Sequence, residues 1–230
     1  MNQQVLIELQ RAEDKGFALL AAVEEHGLIR PGVTEEALSL EIHALAEKMF
    51  GGQRYWHKRV VRAGDNTLCP YREMPPNRTI AADDILFVDL GPVFGDWEAD
   101  VGRTYVVGDD PRKQALNRDV EAAWLEGQAY FHQRRGALTG AELFQFTTEM
   151  ARRMGWECGG PHCGHLIGAF PHLRVQGTQV ENYIHPDNHL AMRETDAEGR
   201  RRYWIYEIHF VDRANRIGAF TERWIGDYAD

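Results

Sequence analysis

Hydrophobic residues recur mostly at steps of three and four along the first part of the chain, which is the spacing of an amphipathic helix. The apolar positions that follow this spacing are Val5, Leu9, Ala12, Phe17, Leu20 and Val23. Gly27 ends the pattern. We therefore predict a helix over residues 5–25.

A second predicted helix has a counterpart later in the chain. Thr34 is a suitable N-cap, and the helix that follows it ends at Gly51. Thr139 and Gly155 bound a helix of nearly the same length, about 105 residues further on. Each is preceded by a long helix and followed by strand-like segments. This self-similarity indicates an internal duplication into halves of about 1–110 and 111–230.

Short apolar runs bounded by turn residues predict two hairpins. The predicted strands cover residues 85–90, 97–107, 203–211 and 219–225. We place the first turn at Phe94-Gly95 and the second at Ala214-Asn215. The polar section over 175–202 is predicted to be a loop that acts as a lid or as a dimer contact.

These two turns bring four carboxylates together in two pairs. Asp89 would face Asp100, and Glu207 would face Glu222. Opposed side chains in an antiparallel pair lie roughly 5 Å apart, and like charges there are destabilising. Either one carboxylate of each pair holds a proton, or two divalent ions lie between the pairs. Removal of Asp100 would then relieve repulsion in the metal-free protein.

The alternative is that these carboxylates face solvent, because a one-residue slip in register would put the partners on opposite faces. Asp89 argues against this alternative, since it directly follows the apolar residues 85–88. An ionised carboxylate in a buried strand needs a compensating partner.

Residues 160–172 hold three of the ten histidines in a glycine-rich, apolar context. His165 would add a nitrogen ligand to a site of carboxylates, and such a mixed site suits manganese, cobalt, iron or zinc better than magnesium or calcium. His172 is better placed to contact a substrate. A rival interpretation, with irregular spacing for the purpose, is a local zinc cluster of Cys158, His162, Cys163 and His165.

Composition narrows the function further. The net charge of -9 argues against nucleic acid as a partner. Eighteen consecutive apolar residues occur nowhere, so no membrane span is expected. The first residues do not resemble a signal peptide. Three cysteines do not suggest a disulfide framework, which favours a reduced, cytoplasmic location.

The chain resembles the pita-bread metallopeptidases, which include methionine aminopeptidase, aminopeptidase P, prolidase and the metal-free creatinase. The matching segments are VDLG at 88–91, ADVGRT at 99–104 and GHLIG at 164–168, followed by Glu207 and Glu222. The resemblance implies an α+β pita-bread fold, with two pseudo-symmetric halves, a curved and mainly antiparallel sheet, and helices outside. It also implies one catalytic domain over 1–230, with no extra N-terminal domain.

The resemblance also implies a role for each candidate residue. Asp89 would bind the first of two metal ions, Asp100 and Glu222 would bridge both, and His165 and Glu207 would bind the second. Manganese is the expected metal, with cobalt, iron or zinc as alternatives. A metal-bridging hydroxide would be the nucleophile, with Glu207 also shuttling the proton. His172 would contact the substrate and the developing oxyanion.

One departure from the family concerns a further histidine upstream of the first aspartate. The corresponding region, 66–71, contains none. By strand alternation His209 lies on the same face as Glu207, so we predict that it replaces the missing imidazole.

The function implied is that of an exopeptidase, of Xaa-Pro or other aminopeptidase or dipeptidase type, acting on small peptides. One alternative is hydrolysis of a non-peptide amide or C–N bond in the same site. Another is a non-catalytic member of the fold that binds a protein partner, although such members usually lose metal ligands. Homodimerisation is expected by analogy.

Overall fold

The computed structural model describes residues 2–134, 136–172, 179–195 and 198–226. Its helices are α1 (Asn2–Glu25), α2 (Glu35–Phe50), α3 (Pro111–Gln133) and α4 (Gly140–Met154). Both predicted N-caps are confirmed. The Thr34 hydroxyl accepts a hydrogen bond from the Ala37 amide, and Thr139 forms a reciprocal capping box with Glu142.

The strands belong to a small sheet and a large one. The small sheet contains β1 (Arg54–Tyr55), β4 (Pro92–Phe94) and β5 (Trp97–Glu98). The large sheet contains β2 (Val60–Ala63), β3 (Asp84–Leu90), β6 (Val101–Val107), β7 (Glu157–Cys158), β8 (Gly164–Ile167), β9 (Tyr203–Asp212) and β10 (Ile217–Trp224). The four predicted strands are thus present, although one of them is interrupted.

The large sheet has the strand order β2-β3-β6-β10-β9-β7, with β8 also paired to β9, and its pairs are antiparallel. The order is symmetric about the contact of β6 with β10, because each of these strands is followed outward by its own hairpin partner. At this contact the Thr104 hydroxyl donates to the Phe220 carbonyl and accepts from the Phe220 amide, each at 2.7 Å. The two similar halves predicted from the sequence meet here.

Strand alternation separates the core from the opposite face of the sheet. On β3, Leu86, Val88 and Leu90 pack with residues of α1 and α2. On β9, Tyr206 packs under α3 and α4, where its hydroxyl contacts Thr147 at 2.7 Å. On the opposite face, Phe87 and Asp89 of β3 and Glu207 and His209 of β9 line a cavity.

The register of the second hairpin is confirmed, and that of the first is wrong by two residues. Glu222 pairs with Glu207 as predicted, but Asp89 pairs with Gly102 and not with Asp100. The first turn lies one residue later than predicted, because Gly95 adopts a φ of 65° that favours glycine. A shift of one residue in the turn moves the register by two, so every side chain keeps its face.

The predicted strand 97–107 is divided between the two sheets. β5 pairs with β4 in the small sheet, whereas β6 begins only at Val101 in the large sheet. Asp100 therefore lies immediately before β6 and outside the ladder. Among the described residues, no helix is both long and apolar enough to cross a membrane.

Glu13 joins the first helix to the last strand. Its carboxylate accepts a hydrogen bond of 2.7 Å from the Trp224 amide. Burial raises the pKa of Glu13 to about 7, although the Trp224 amide and Arg223 oppose the shift. The folded protein thus keeps Glu13 protonated at pH values at which the unfolded chain has lost this proton. The free energy of unfolding therefore falls as the pH rises from about 4.5 to 7.

We therefore expect Glu13→Gln, which keeps an acceptor but cannot ionise, to raise the free energy of unfolding at pH 8 by up to about 3 kcal/mol. Little change is expected at pH 5. Urea unfolding of both proteins at the two pH values measures this difference. Glu25→Gln, on an exposed residue of the same helix, is the control. An equal gain at both pH values would show that ionisation of Glu13 is not the cause.

Candidate metal centre

One transverse row of the large sheet carries three carboxylates. Asp89 pairs with Gly102, Gly102 pairs with Glu222, and Glu222 pairs with Glu207. Directly paired residues present their side chains on the same face. Asp100 lies two residues before Gly102 and adds a fourth carboxylate to that face. The residues predicted from the sequence are therefore brought together, although by a different register.

The glycine in this row is required by close packing. A Cβ atom on Gly102 would lie 2.5 Å from the Phe220 ring and 3.0 Å from the Glu222 Cβ atom. Any other residue at this position would have to displace the Phe220 ring. Gly102 thus leaves a gap in the row between Asp89 and Glu222.

His165 supplies an imidazole to one side of this group. Its Nε2 atom lies 3.1 Å from Asp100 Oδ2 and 3.6 Å from Glu222 Oε1. Its Nδ1 atom lies 2.9 Å from the carbonyl oxygen of Leu166. A hydrogen bond donated by Nδ1 leaves Nε2 directed at the two carboxylates.

His57, which the sequence analysis did not identify, supplies a second imidazole on the other side. Its Nε2 atom lies 3.1 Å from Asp100 Oδ1 and 3.5 Å from Asp89 Oδ1. His57 lies in the segment between β1 and β2, where no periodic pattern predicts the direction of a side chain. The only local hint was its place three residues before Val60, which pairs with Asp89.

The charges of this cluster are strongly coupled. Burial raises the pKa of Asp89 to about 7, with His57 opposing the shift. Burial, Asp100 and Asp89 together raise the pKa of Glu222 well above its ordinary value. Burial acts in the same direction on Asp100, but His57 and His165 outweigh it and lower its pKa to about 2.

Of these three carboxylates, Asp100 is therefore the one whose ionised form its surroundings favour. Burial disfavours the charged form of His57, yet Asp89 and Asp100 raise the pKa of His57 to about 9. Asp100 thus lies between two cationic imidazoles. This arrangement argues against the prediction that removal of Asp100 would relieve repulsion, because Asp100 compensates the charge of both imidazoles.

The residues of the cluster fit divalent metal ions. Among the described residues, the groups of at least three potential ligands are His57 with Asp89 and Asp100, and Asp100 with His165 and Glu222. The two groups share Asp100. Asp89 Oδ1 is buried and has no hydrogen-bond partner, which is costly for a carboxylate oxygen unless a cation satisfies it. Carboxylates with imidazoles are also the donor set that transition metals prefer.

The predicted zinc cluster is not formed. Cys158 and Cys163 contact the hydroxyls of Thr148 and Thr147, respectively. His162 instead lies beside Glu207, with 2.7 Å between its Nδ1 atom and Glu207 Oε1. All three cysteines, including Cys69, are free thiols.

His172 is held by a buried glutamate. Glu98 is 1% exposed and accepts hydrogen bonds from His172 Nδ1 at 2.7 Å and from the His172 amide at 3.0 Å. These bonds fix the ring and leave its Nε2 atom for another partner. Glu98 was also missed, although it shares the strand parity of Asp100.

His209 lies on the same side of β9 as Glu207, as alternation predicted, and both line the cavity. Its Nε2 atom lies 2.8 Å from the Thr67 carbonyl oxygen, and burial lowers the pKa of His209. His57, and not His209, contacts Asp89 and Asp100. The role of His209 stays a prediction.

These groups open into a cavity of about 840 Å³. The carboxylates and imidazoles line one part of it. Aromatic residues line another, among them Trp56, Phe87, Tyr183 and Phe220. Val180, Asn182 and His185 border the cavity from the segment predicted as a lid; residues 175–178, 196 and 197 of that segment lie outside the described residues.

A sequence profile described as Metallopeptidase family M24 matches residues 8–196. The chain belongs to this family. It is 26% identical over 168 residues to an Xaa-Pro dipeptidase of Pyrococcus furiosus, and the alignment covers 73% of this chain and 45% of that protein. It is 24% identical over 185 residues to an Xaa-Pro dipeptidase of Pyrococcus horikoshii, covering 80% and 50%, respectively. The chain thus spans about half the length of the curated relatives it matches.

Solved structures of the M24 type share the fold. An X-Pro aminopeptidase from Thermotoga maritima aligns with a TM-score of 0.73 at 19% identity, over 96% of this chain and 57% of that one. A methionine aminopeptidase from Rickettsia prowazekii aligns with a TM-score of 0.72 at 15% identity, over 96% of this chain and 92% of that one. The predicted pita-bread fold is confirmed.

The electrostatics of this M24 site predict that two of its carboxylates contribute differently to the free energy of unfolding of the chelated protein. Asp100→Ala is expected to lower the free energy of unfolding by about 3 kcal/mol at pH 7, because two buried imidazoles lose their common counterion. Glu222→Gln is expected not to lower it, since glutamine resembles the protonated form that burial favours.

Urea unfolding in excess EDTA measures both effects. Glu25→Gln at the exposed end of α1 again serves as a control. A more stable Asp100→Ala protein would show that repulsion dominates the cluster.

Proposed function

We propose that the chain is a dinuclear metal-dependent exopeptidase that releases a residue from the end of a short peptide. The observation that supports this proposal most directly is the position of Asp100. Its two oxygens each lie 3.1 Å from a different imidazole nitrogen, one of His57 and one of His165. A carboxylate shared in this way is suited to bridge two ions, as two-metal hydrolytic sites require.

Five residues would hold the ions, namely Asp89, Asp100, His165, Glu207 and Glu222. When bound, divalent ions supply Lewis acidity and lower the pKa of a coordinated water. Mixed oxygen and nitrogen donors favour manganese, the metal we propose, or cobalt, iron or zinc, over magnesium and calcium.

The remaining roles belong to side chains at the cavity surface. Glu207 is 14% exposed, which lets it accept a proton from the attacking water and pass it to the leaving amine. His172 is fixed by Glu98, and with a proton on each ring nitrogen it would donate from Nδ1 to Glu98 and from Nε2 to the oxyanion that develops on the scissile carbonyl. We propose that Glu98 acts only by positioning His172.

The substrate class follows from the size and lining of the cavity. A volume of about 840 Å³ lies within the range of small-ligand pockets, so a peptide of a few residues fits better than a folded protein. The names of the two Pyrococcus relatives, Xaa-Pro dipeptidase, favour an Xaa-Pro bond. Homodimerisation and a cytoplasmic location stay predictions.

The activity is testable with a mixed library of dipeptides and tripeptides, in which Xaa-Pro sequences are matched to Xaa-Ala sequences. We expect manganese-loaded protein to release products that mass spectrometry detects and that are absent after chelation. A loss of product in Asp100→Ala would assign the activity to this site. If metal-loaded protein left every peptide intact, the exopeptidase proposal would be wrong, and non-peptide amides would be the next substrates to test.

His172→Ala is expected to lower kcat by roughly 10²–10³-fold if His172 stabilises an oxyanion, and to leave metal content unchanged. Glu98→Gln is expected to lower kcat in the same direction by a smaller factor, with KM nearly constant. The double variant should be no slower than His172→Ala, because Glu98 acts through that ring. Steady-state kinetics and elemental analysis check both points. Additive losses would give Glu98 an independent role.

A further inference from the structure

We propose that His57 is a ligand of the ion held by Asp89 and Asp100, so that each of the two ions carries an imidazole nitrogen. This inference rests on the metal centre of the proposed function and adds a sixth protein ligand to it. It concerns metal binding alone, so it can be tested without a substrate.

The first argument is that His57 is oriented as His165 is. In each residue Nδ1 lies within hydrogen-bond distance of the carbonyl oxygen of the next residue, at 2.6 Å for Lys58 and 2.9 Å for Leu166. A backbone carbonyl that accepts from one ring nitrogen is the usual support of a metal-binding histidine, because it fixes the tautomer that leaves the other nitrogen free. In each residue that other nitrogen, Nε2, faces two carboxylates.

The distances between donor atoms give the second argument. Oxygen and nitrogen ligands lie about 2.0–2.2 Å from a transition-metal ion, so neighbouring donors of one ion are about 2.8–3.6 Å apart in octahedral or tetrahedral sites. His57 Nε2 lies 3.1 Å from Asp100 Oδ1 and 3.5 Å from Asp89 Oδ1. The corresponding distances at His165 are 3.1 and 3.6 Å. The two groups therefore have the same dimensions.

The third argument is that the position of His57 is fixed by its surroundings. Its neighbour Trp56 donates from its amide to the Gly91 carbonyl at 2.9 Å and from its indole to the Ala99 carbonyl at 3.0 Å. The rings of Trp56 and His57 meet edge to face, 4.4 Å between centroids. A Cβ atom on Gly91 would collide with the His57 ring. An imidazole held in this way needs little ordering when an ion binds.

A consequence follows for the choice of metal. Without His57, Asp89 and Asp100 would offer the first ion oxygen atoms only, a donor set that magnesium also accepts. With His57, both ions have nitrogen as well as oxygen donors, which favours cobalt, zinc, iron or manganese. His57 would thus exclude magnesium from the first position.

The test uses the full chain loaded with two equivalents of cobalt(II). The proton on Nδ1 of a cobalt-bound histidine gives a strongly shifted, exchangeable proton NMR signal. We expect two such signals in the unmodified protein, from His57 and His165, and one in His57→Ala. His185→Ala is the matched control, because His185 lines the same cavity but pairs with Asp187 at 3.7 Å; it should retain both signals.

Calorimetric titration of metal-free protein gives an independent readout. We expect His57→Ala to bind one of the two cobalt ions at least about tenfold more weakly. Loss of a residue that only supports a metal ligand already lowers metal affinity about tenfold or more. His57→Gln preserves more of the side-chain volume and should show the same loss. The number of shifted signals in the unmodified protein still tests the proposal if neither variant folds.

Each outcome separates this inference from the proposed function. One shifted signal in unmodified protein that binds two ions, or two signals retained in His57→Ala, would overturn the role of His57 and leave the exopeptidase untouched. Two signals, one of them lost in His57→Ala, establish the ligand. If that protein cleaved no peptide, only the proposed function would fail.

Discussion

The pairing of β6 with β10 is the contact on which the site depends. It joins two hairpins at Gly102 and Glu222, and so completes one row that runs from Asp89 to Glu207. Each hairpin alone would present only two of the four carboxylates. A side chain at Gly102 would collide with the Phe220 ring and crowd Glu222, so this contact depends on glycine.

A row of buried carboxylates is electrostatically unfavourable, and the surrounding imidazoles determine which carboxylates are favoured in the ionised form. Asp100 is stabilised in its ionised form by His57 and His165, whereas burial favours the protonated forms of Asp89 and Glu222. Binding of divalent ions would ionise all of these groups at once, because a nearby cation favours each carboxylate in its charged form. The same cluster that costs stability without metal would therefore bind metal tightly.

Two histidines beside this cluster are held in place by residues that contact them directly. Glu98 fixes His172 from a buried position in the small sheet, and Trp56 with Gly91 fixes His57. Strand parity could have indicated Glu98, since it alternates with Asp100 and Gly102. Nothing comparable exists for His57, because a side chain in an irregular segment has no predictable direction. The pattern of the sequence therefore indicated His209, and not His57, as an additional imidazole.

Periodicity and local chemistry in the sequence determined the helices, their threonine caps, the two hairpins and the face on which each carboxylate lies. These features survive a misplaced turn, because a register shift of two residues preserves strand parity; this is why Asp89 and Asp100 were identified although their pairing was wrong. Only the tertiary structure decided that Asp89 lies opposite Gly102, that two hairpins join into one row, and that His57 and Glu98 reach the site. Such contacts join residues distant in sequence, and they are set by the packing of whole elements, which no local pattern encodes.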